Sequence, residues 1–179
     1  LGQICLGRTI IVDKYGGGQF TSIQPAIVFA AAGDTVKVWP GEYQEQVTLD
    51  KDITLVGSGY ENSIIRGNSD PVVNMSVGRM QWFKVSSSAG NGINLSGGAV
   101  QNVLVIGCAR YGIYTVNVST TSPPLVLNCI VLGSTSDGVR SEPTSGTLPV
   151  TNTISRGNGG FGFNGRQTIY NRISLSYSN

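Results

Sequence analysis

The chain has no histidine. That absence excludes Ser-His-Asp and Cys-His nucleophilic arrangements and any imidazole-ligated zinc centre. Charge is also scarce: only 12% of the 179 residues are charged, and the net charge is +2. No dense run of Lys and Arg interleaved with aromatics is present, so nothing suggests a nucleic-acid partner. No apolar stretch approaches the roughly 20 residues that span a bilayer. The three cysteines, Cys5, Cys108 and Cys129, cannot all pair within one chain. Cys129 reads as a free buried thiol, and Cys5, near the amino terminus, as a candidate for an intermolecular bond. Nothing in this inventory calls for a metal or a cofactor. The first residue is Leu1, which reads as a processed start and allows a secreted or cell-surface location.

What the sequence does have is glycine, 25 residues of it, and a recurring phrase. A polar residue followed by an apolar, strand-forming segment opens at Asp52, Gln81, Asn102, Asn128, Asn152 and Asn171. The intervals, about 20 to 30 residues, are too irregular for a helical solenoid and suit a coil of strands with loops of varying length. A second phrase, glycine before an apolar residue, runs through the same intervals at Gly92-Ile93, Gly112-Ile113, Gly138-Val139 and Gly162-Phe163. Each turn therefore holds at least two strands, and the glycines predict corners with positive φ. Stacked turns would place the six openers above one another as a structural ladder of hydrogen-bonded side chains. The fold class expected is all-β: a single right-handed parallel β-helix of about six or seven rungs spaced near 4.8 Å, spanning residues 10–179 after an arm of residues 1–9.

Residues 10–59 read as a capping unit. A strand at Ile10–Val12 precedes Gly16-Gly17-Gly18, and Thr21 or Ser22 can cap a short helix within residues 21–32 whose face carries Ile23, Ala26, Ile27 and Ala30. Short alternating strands follow at Val36–Val38, Val47–Leu49 and Ile53–Val56. The stretch from Gly16 to Gly59, with Gly41-Glu42-Tyr43-Gln44-Glu45 as a G-x-Y-x-E motif, resembles the opening of right-handed parallel β-helix proteins of the pectin lyase-like superfamily. Within that superfamily it is similar to the start of pectin methylesterases. The resemblance covers about fifty residues and implies the fold.

It carries the esterase activity poorly. Pectin methylesterases use paired aspartates in Q-D-T-L and D-F-I-F-G segments and an arginine in L-G-R-P-W, and these strings do not occur here. After Asp70 the only acids are Asp137 and Glu142, in one stretch of chain. The polygalacturonase-like relatives would need a histidine. The calcium-dependent lyases would need several carboxylates beside an arginine base. Glu45 reads as a residue that caps or orients a turn.

Two functional readings remain. The first is a non-catalytic, secreted or surface structural protein that self-associates head to tail. Residues 1–70 hold eight acids against five bases and residues 71–179 two against seven, so the two ends of a column would carry opposite charge. The arm, through Leu1, Ile4, Cys5 and Leu6, would add to the last rung, through Ile173, Leu175 and Tyr177, by strand addition. The alternative is a carbohydrate-binding or degenerate carbohydrate-processing β-helix, with Tyr43, Arg110, Tyr111, Arg140 and Arg166 as possible contacts to a polysaccharide.

Overall fold

The computed structural model describes residues 7–115, 123–142 and 147–165, and the backbone of 167–170. Among these residues the chain forms 20 strands and one helix, and the strands stack into three parallel sheets of eight, six and six. One turn of the coil illustrates the rest. Thr35–Val38 lies in the first sheet, Gly41–Gln44 in the second and Val47–Leu49 in the third. The chain then returns to the first sheet at Thr54–Val56, directly on Thr35–Val38, with Val36 opposite Leu55. This is the parallel β-helix expected from the repeated phrases.

The strands are short because each must end at a corner, and they alternate because one face points into the column. Inward residues align from rung to rung. In the first sheet Val36, Leu55, Met80, Val100, Val126 and Val150 form one buried column. Each such side chain contributes about 1.5–3 kcal/mol on leaving water. The core thins toward the carboxyl end. In the second sheet the column runs Tyr43, Ile65, Val85, Val105, Val131, Ser155. In the third, Leu49, Met75 and Leu95 give way to Thr115 and Ser141.

The helix, Ile23–Phe29, lays Ile23, Ala26 and Ile27 over the open end of the first turns. Its start is not capped by the side chain of Thr21 or Ser22, as the sequence suggests; no cap bond comes from Ser22. The carboxylate of Glu45 does the work from a neighbouring turn, accepting the N–H of Ile23 and of Gln24 at 2.8 Å each. Lys51 serves the other end, its Nζ donating to the carbonyls of Ile27, Val28 and Ala30. Opposite charges thus sit where the helix dipole favours them. Glu45→Gln, which removes the charge and one acceptor, is expected to lower stability by about 1–2 kcal/mol. A lower urea midpoint at unchanged m value would show this.

The openers behave differently from the expected ladder. Register pairs Gln101 with Leu127 and Leu127 with Thr151, so Asn102, Asn128 and Asn152 do share one column. Gln81, however, pairs with Gln101, which puts Trp82 and not Gln81 in that column. Asp52 lies well before its rung's corner, its carbonyl accepting from Gly33. Asn171 lies outside the described residues. What repeats is a backbone conformation: φ is +66° at Trp82, +52° at Asn102 and Asn128, and +47° at Asn152. The column sits on the outer corner between the first and second sheets. Asparagine recurs because it tolerates left-handed backbone; among the described residues no amide-to-amide bond joins these side chains.

The glycine phrase is corrected in the same way. Gly92, Gly112 and Gly138 are not at positive φ; they are buried where a Cβ would strike the next rung. On Gly112 it would lie 2.7 Å from the carbonyl oxygen of Gly138 and closer still to Val131 Cγ1. Among the positive-φ glycines, Gly107, Gly133 and Gly157 lie five residues before Gly112, Gly138 and Gly162, at the end of the second sheet's strands.

Candidate functional site

The corner between the second and third sheets brings similar positions of successive turns into register. Gly92 donates to the carbonyl of Tyr111, Gly112 to that of Asp137 and Gly138 to that of Phe161. Asn91, Tyr111, Asp137 and Phe161, each just before its glycine, therefore form one column. The outward row of the third sheet runs beside it as Asn74, Asn94, Tyr114, Arg140 and Asn164. Two columns, one from four turns and one from five, thus make one polar and aromatic face.

The side chains on this face are interlocked. The rings of Tyr111 and Tyr114 stack at 5.3 Å between centroids, 24° from parallel, and the Arg110 guanidinium lies 5.1 Å above Tyr111. Arg110 also faces Asp70 at 3.9 Å, a long contact. Asp70 in turn accepts the N–H of Asn91, whose amide oxygen accepts from the N–H of Tyr111. One turn on, Arg140 is held from both sides: its Nε donates to Glu142 at 2.9 Å, its Nη2 also meets Glu142, and its Nη1 donates to Asp137 at 3.3 Å. Asp137 further accepts from the N–H of Phe161 and the amide of Asn164.

These contacts set the protonation behaviour. Arg140 holds the Glu142 carboxyl below its ordinary range, chiefly through the side-chain bonds. Desolvation, and then the bond to Glu142 at 3.2 Å, raises the Tyr114 hydroxyl. A carboxylate kept ionised by an arginine can accept hydrogen bonds but is a poor proton donor. Burial pushes the thiols of Cys108 and Cys129 up to about 11 and about 12, so neither offers a nucleophile near neutral pH. Among the described residues no group of three or more His, Cys, Asp or Glu side chains could hold a metal ion.

Of the contacts expected from the sequence, Arg110, Tyr111 and Arg140 meet on this face. Tyr43 does not: it is 3% exposed, and its hydroxyl donates to the carbonyl of Trp39 and accepts from the N–H of Lys14. The G-x-Y-x-E motif is thereby explained as framework, Tyr43 filling the core and Glu45 capping the helix. Arg166 lies outside the described residues, as do Leu1, Ile4, Cys5, Leu6, Ile173, Leu175 and Tyr177. Arg8 and Thr9, placed with the arm from the sequence, belong to the column. Arg8 pairs with Asp34 at 2.8 Å and Thr9 aligns with Thr35.

Sequence reasoning missed Asp70, Asn91, Asn94, Asp137, Glu142 and Asn164 as members of one site. Asp70 and Asp137 lie far apart in the sequence, and only register brings them to one side. A usable signal existed in the residues just before each glycine of the second phrase, which stack whatever the loop lengths between them.

No established family profile and no curated protein sequence matches the chain. Solved structures do. A pectin methylesterase variant in complex with a hexasaccharide superimposes with a TM-score of 0.66 at 13% identity, over 95% of this chain and 66% of that one. The catalytic domain of a GH87 α-1,3-glucanase in complex with tetrasaccharides also gives 0.66, at 16% identity over 90% of this chain and 32% of that one. A pectin methylesterase from Aspergillus niger gives 0.54 at 12% identity, over 98% and 87%. The fold is shared. The parallel β-helix suggested by the first third extends along the described column, although the chain spans less than two thirds of the first two neighbours. At these identities the likeness speaks to fold, and function rests on the site.

Proposed function

We propose that this protein is a carbohydrate-binding β-helix, acting outside the cell, that holds a uronate-containing polysaccharide on the outer face of its third sheet. The observation that carries the reading is the stacked Tyr111–Tyr114 pair with Arg110 over it. Half-exposed rings give a pyranose a surface to stack on. Arg110, only loosely engaged by Asp70 at 3.9 Å, is the cation free to meet a sugar carboxylate. Asn94 lies next to Tyr114 on the same row, and while its amide oxygen accepts from Asn91, its amide N–H groups are placed for sugar hydroxyls. Solved β-helix neighbours that carry oligosaccharides add support at the level of fold.

Binding without turnover fits the acids better than catalysis does. Asp137 and Glu142 both clasp Arg140, and Glu142 is held ionised, whereas glycoside cleavage by a carboxyl pair needs one member protonated. This reading stands ahead of head-to-tail assembly, whose interface residues lie outside the described residues.

Calorimetry with hexagalacturonate tests it. Tyr111→Ala is expected to weaken binding by about tenfold, the loss of one stacked ring. Arg110→Ala should flatten the dependence of affinity on salt. Equal affinity in the wild type and Tyr111→Ala would remove the proposal.

A further inference from the structure

We infer a second saccharide site, for a neutral glycan, at the corner between the first and second sheets around Trp82 and Tyr60. Four observations meet there. Trp82 is 42% exposed and Tyr60 40%, two large aromatics at the rim of a recess of about 130 Å³. Asn102, Leu104, Asn128 and Ile130 also line it. Among the described residues no charged one lines it. Finally, Asn102 and Asn128 line the recess, and their side-chain amides are engaged by no other described residue.

Trp82 is also in the wrong conformation for its type. Its φ of +66° falls in the left-handed region, where the same corner of the next three turns uses asparagine. A bulky side chain there is strained, and strain retained at one rung of a repeating structure points to a use for the side chain. The side chain does not recover the loss by burial, being well exposed. An exposed indole beside a second aromatic, with amides at the flanks, is the chemistry that grips a pyranose ring: apolar ring face against the π system, hydroxyls to the amides.

Size and charge choose the occupant. A recess this small is below the 300 Å³ or so of a typical ligand pocket and fits one sugar ring of a longer chain. A second copy of the protein would need roughly 800 Å² of surface per partner, which this corner by itself does not offer. The absence of a charged lining residue favours neutral hexoses over uronates. The site lies on a different side of the column from the Tyr111–Tyr114 face, and does not depend on it.

The chain has two tryptophans, Trp39 and Trp82, so Trp39→Phe leaves Trp82 as sole reporter. In that background, titration with neutral glucose hexasaccharides of β-1,4, β-1,3 and α-1,3 linkage is expected to give a saturable shift of Trp82 emission with at least one of them. Tyr60→Ala should weaken that binding about tenfold. In the otherwise unaltered chain, Trp82→Asn should abolish it by calorimetry while raising the thermal midpoint, because it installs the residue of the neighbouring turns; a loss of binding with a raised midpoint cannot come from misfolding. Tyr111→Ala should leave the Trp82 response unchanged. The inference fails if no neutral hexasaccharide shifts the emission, if the emission follows protein concentration and ignores sugar, or if Tyr111→Ala removes the response, which would assign it to the third-sheet face. Failure of hexagalacturonate to bind would leave this site standing.

Discussion

Gly112→Ala is expected to destabilise the protein by about 3 kcal/mol, at the upper end of ordinary overpacking effects. The added methyl would sit 2.7 Å from the carbonyl oxygen of Gly138, 3.0 Å from Ser134 Oγ and closer still to Val131 Cγ1. None of these can yield cheaply. Gly138 is itself pressed against the next turn, where a Cβ would lie 2.9 Å from the carbonyl oxygen of Gly162, so a shift would propagate along the column. Gly107→Ala is the matched comparison. Its Cβ would meet nothing within 4 Å, but φ there is +64°, so the cost is the left-handed backbone alone, about 1 kcal/mol. Urea titration of both variants measures the difference directly. Equal losses would mean that backbone conformation, and not close approach of turns, explains the glycine phrase.

The second large effect is on acid stability. Asp34 ends the loop after the helix and accepts from the Arg8 guanidinium at 2.8 Å, the Arg8 N–H at 2.7 Å and the Ala31 N–H at 2.9 Å. The Arg8 side chain, and then the two backbone amides, lower its pKa from 3.8 to about 2. Because the folded value lies below the unfolded one, the stabilisation is complete above about pH 4 and is lost as pH falls toward about 2. Asp34→Asn should therefore be less stable than the wild type at neutral pH. Its thermal midpoint should fall less steeply between pH 4 and pH 2, so that the two proteins converge in acid. A constant gap across that range would show that Asp34 acts through shape and not through charge. The same residue ties the first strand, through Arg8, to the segment below the helix, so the loss should appear first as exchange of amides near Thr9–Val12.

Several details show why parts of the candidate site escaped sequence reading. Arg110 and Tyr111 were visible as an exposed cation beside an aromatic. Asp70 was not, because it reaches Arg110 from another turn. Tyr43 was misread for the opposite reason: the motif that displays it is a framework motif, and only burial at 3% exposure shows which way the ring points. Glu45, which the sequence marks as a cap or orienting group, finds its partners in the N–H groups of Ile23 and Gln24.

The sequence by itself determined the coil. Alternating apolar residues, corner glycines and a phrase recurring at variable intervals require short strands that return to the same side, and parallel stacking is the arrangement that buries all of their inner faces. Even the asparagines were legible as a column, though what they repeat is the left-handed corner at Asn102, Asn128 and Asn152. The tertiary structure alone decided the registers. A one-residue offset exchanges Gln81 for Trp82 at the corner, and loops of unequal length hide which residues of one turn face those of the next. Register follows from packing along the whole column, and no local segment encodes it. The contacts that follow from register, Asp70 with Arg110 and Tyr114 with Glu142 on one side and Trp82 with Tyr60 on another, therefore exist only in three dimensions.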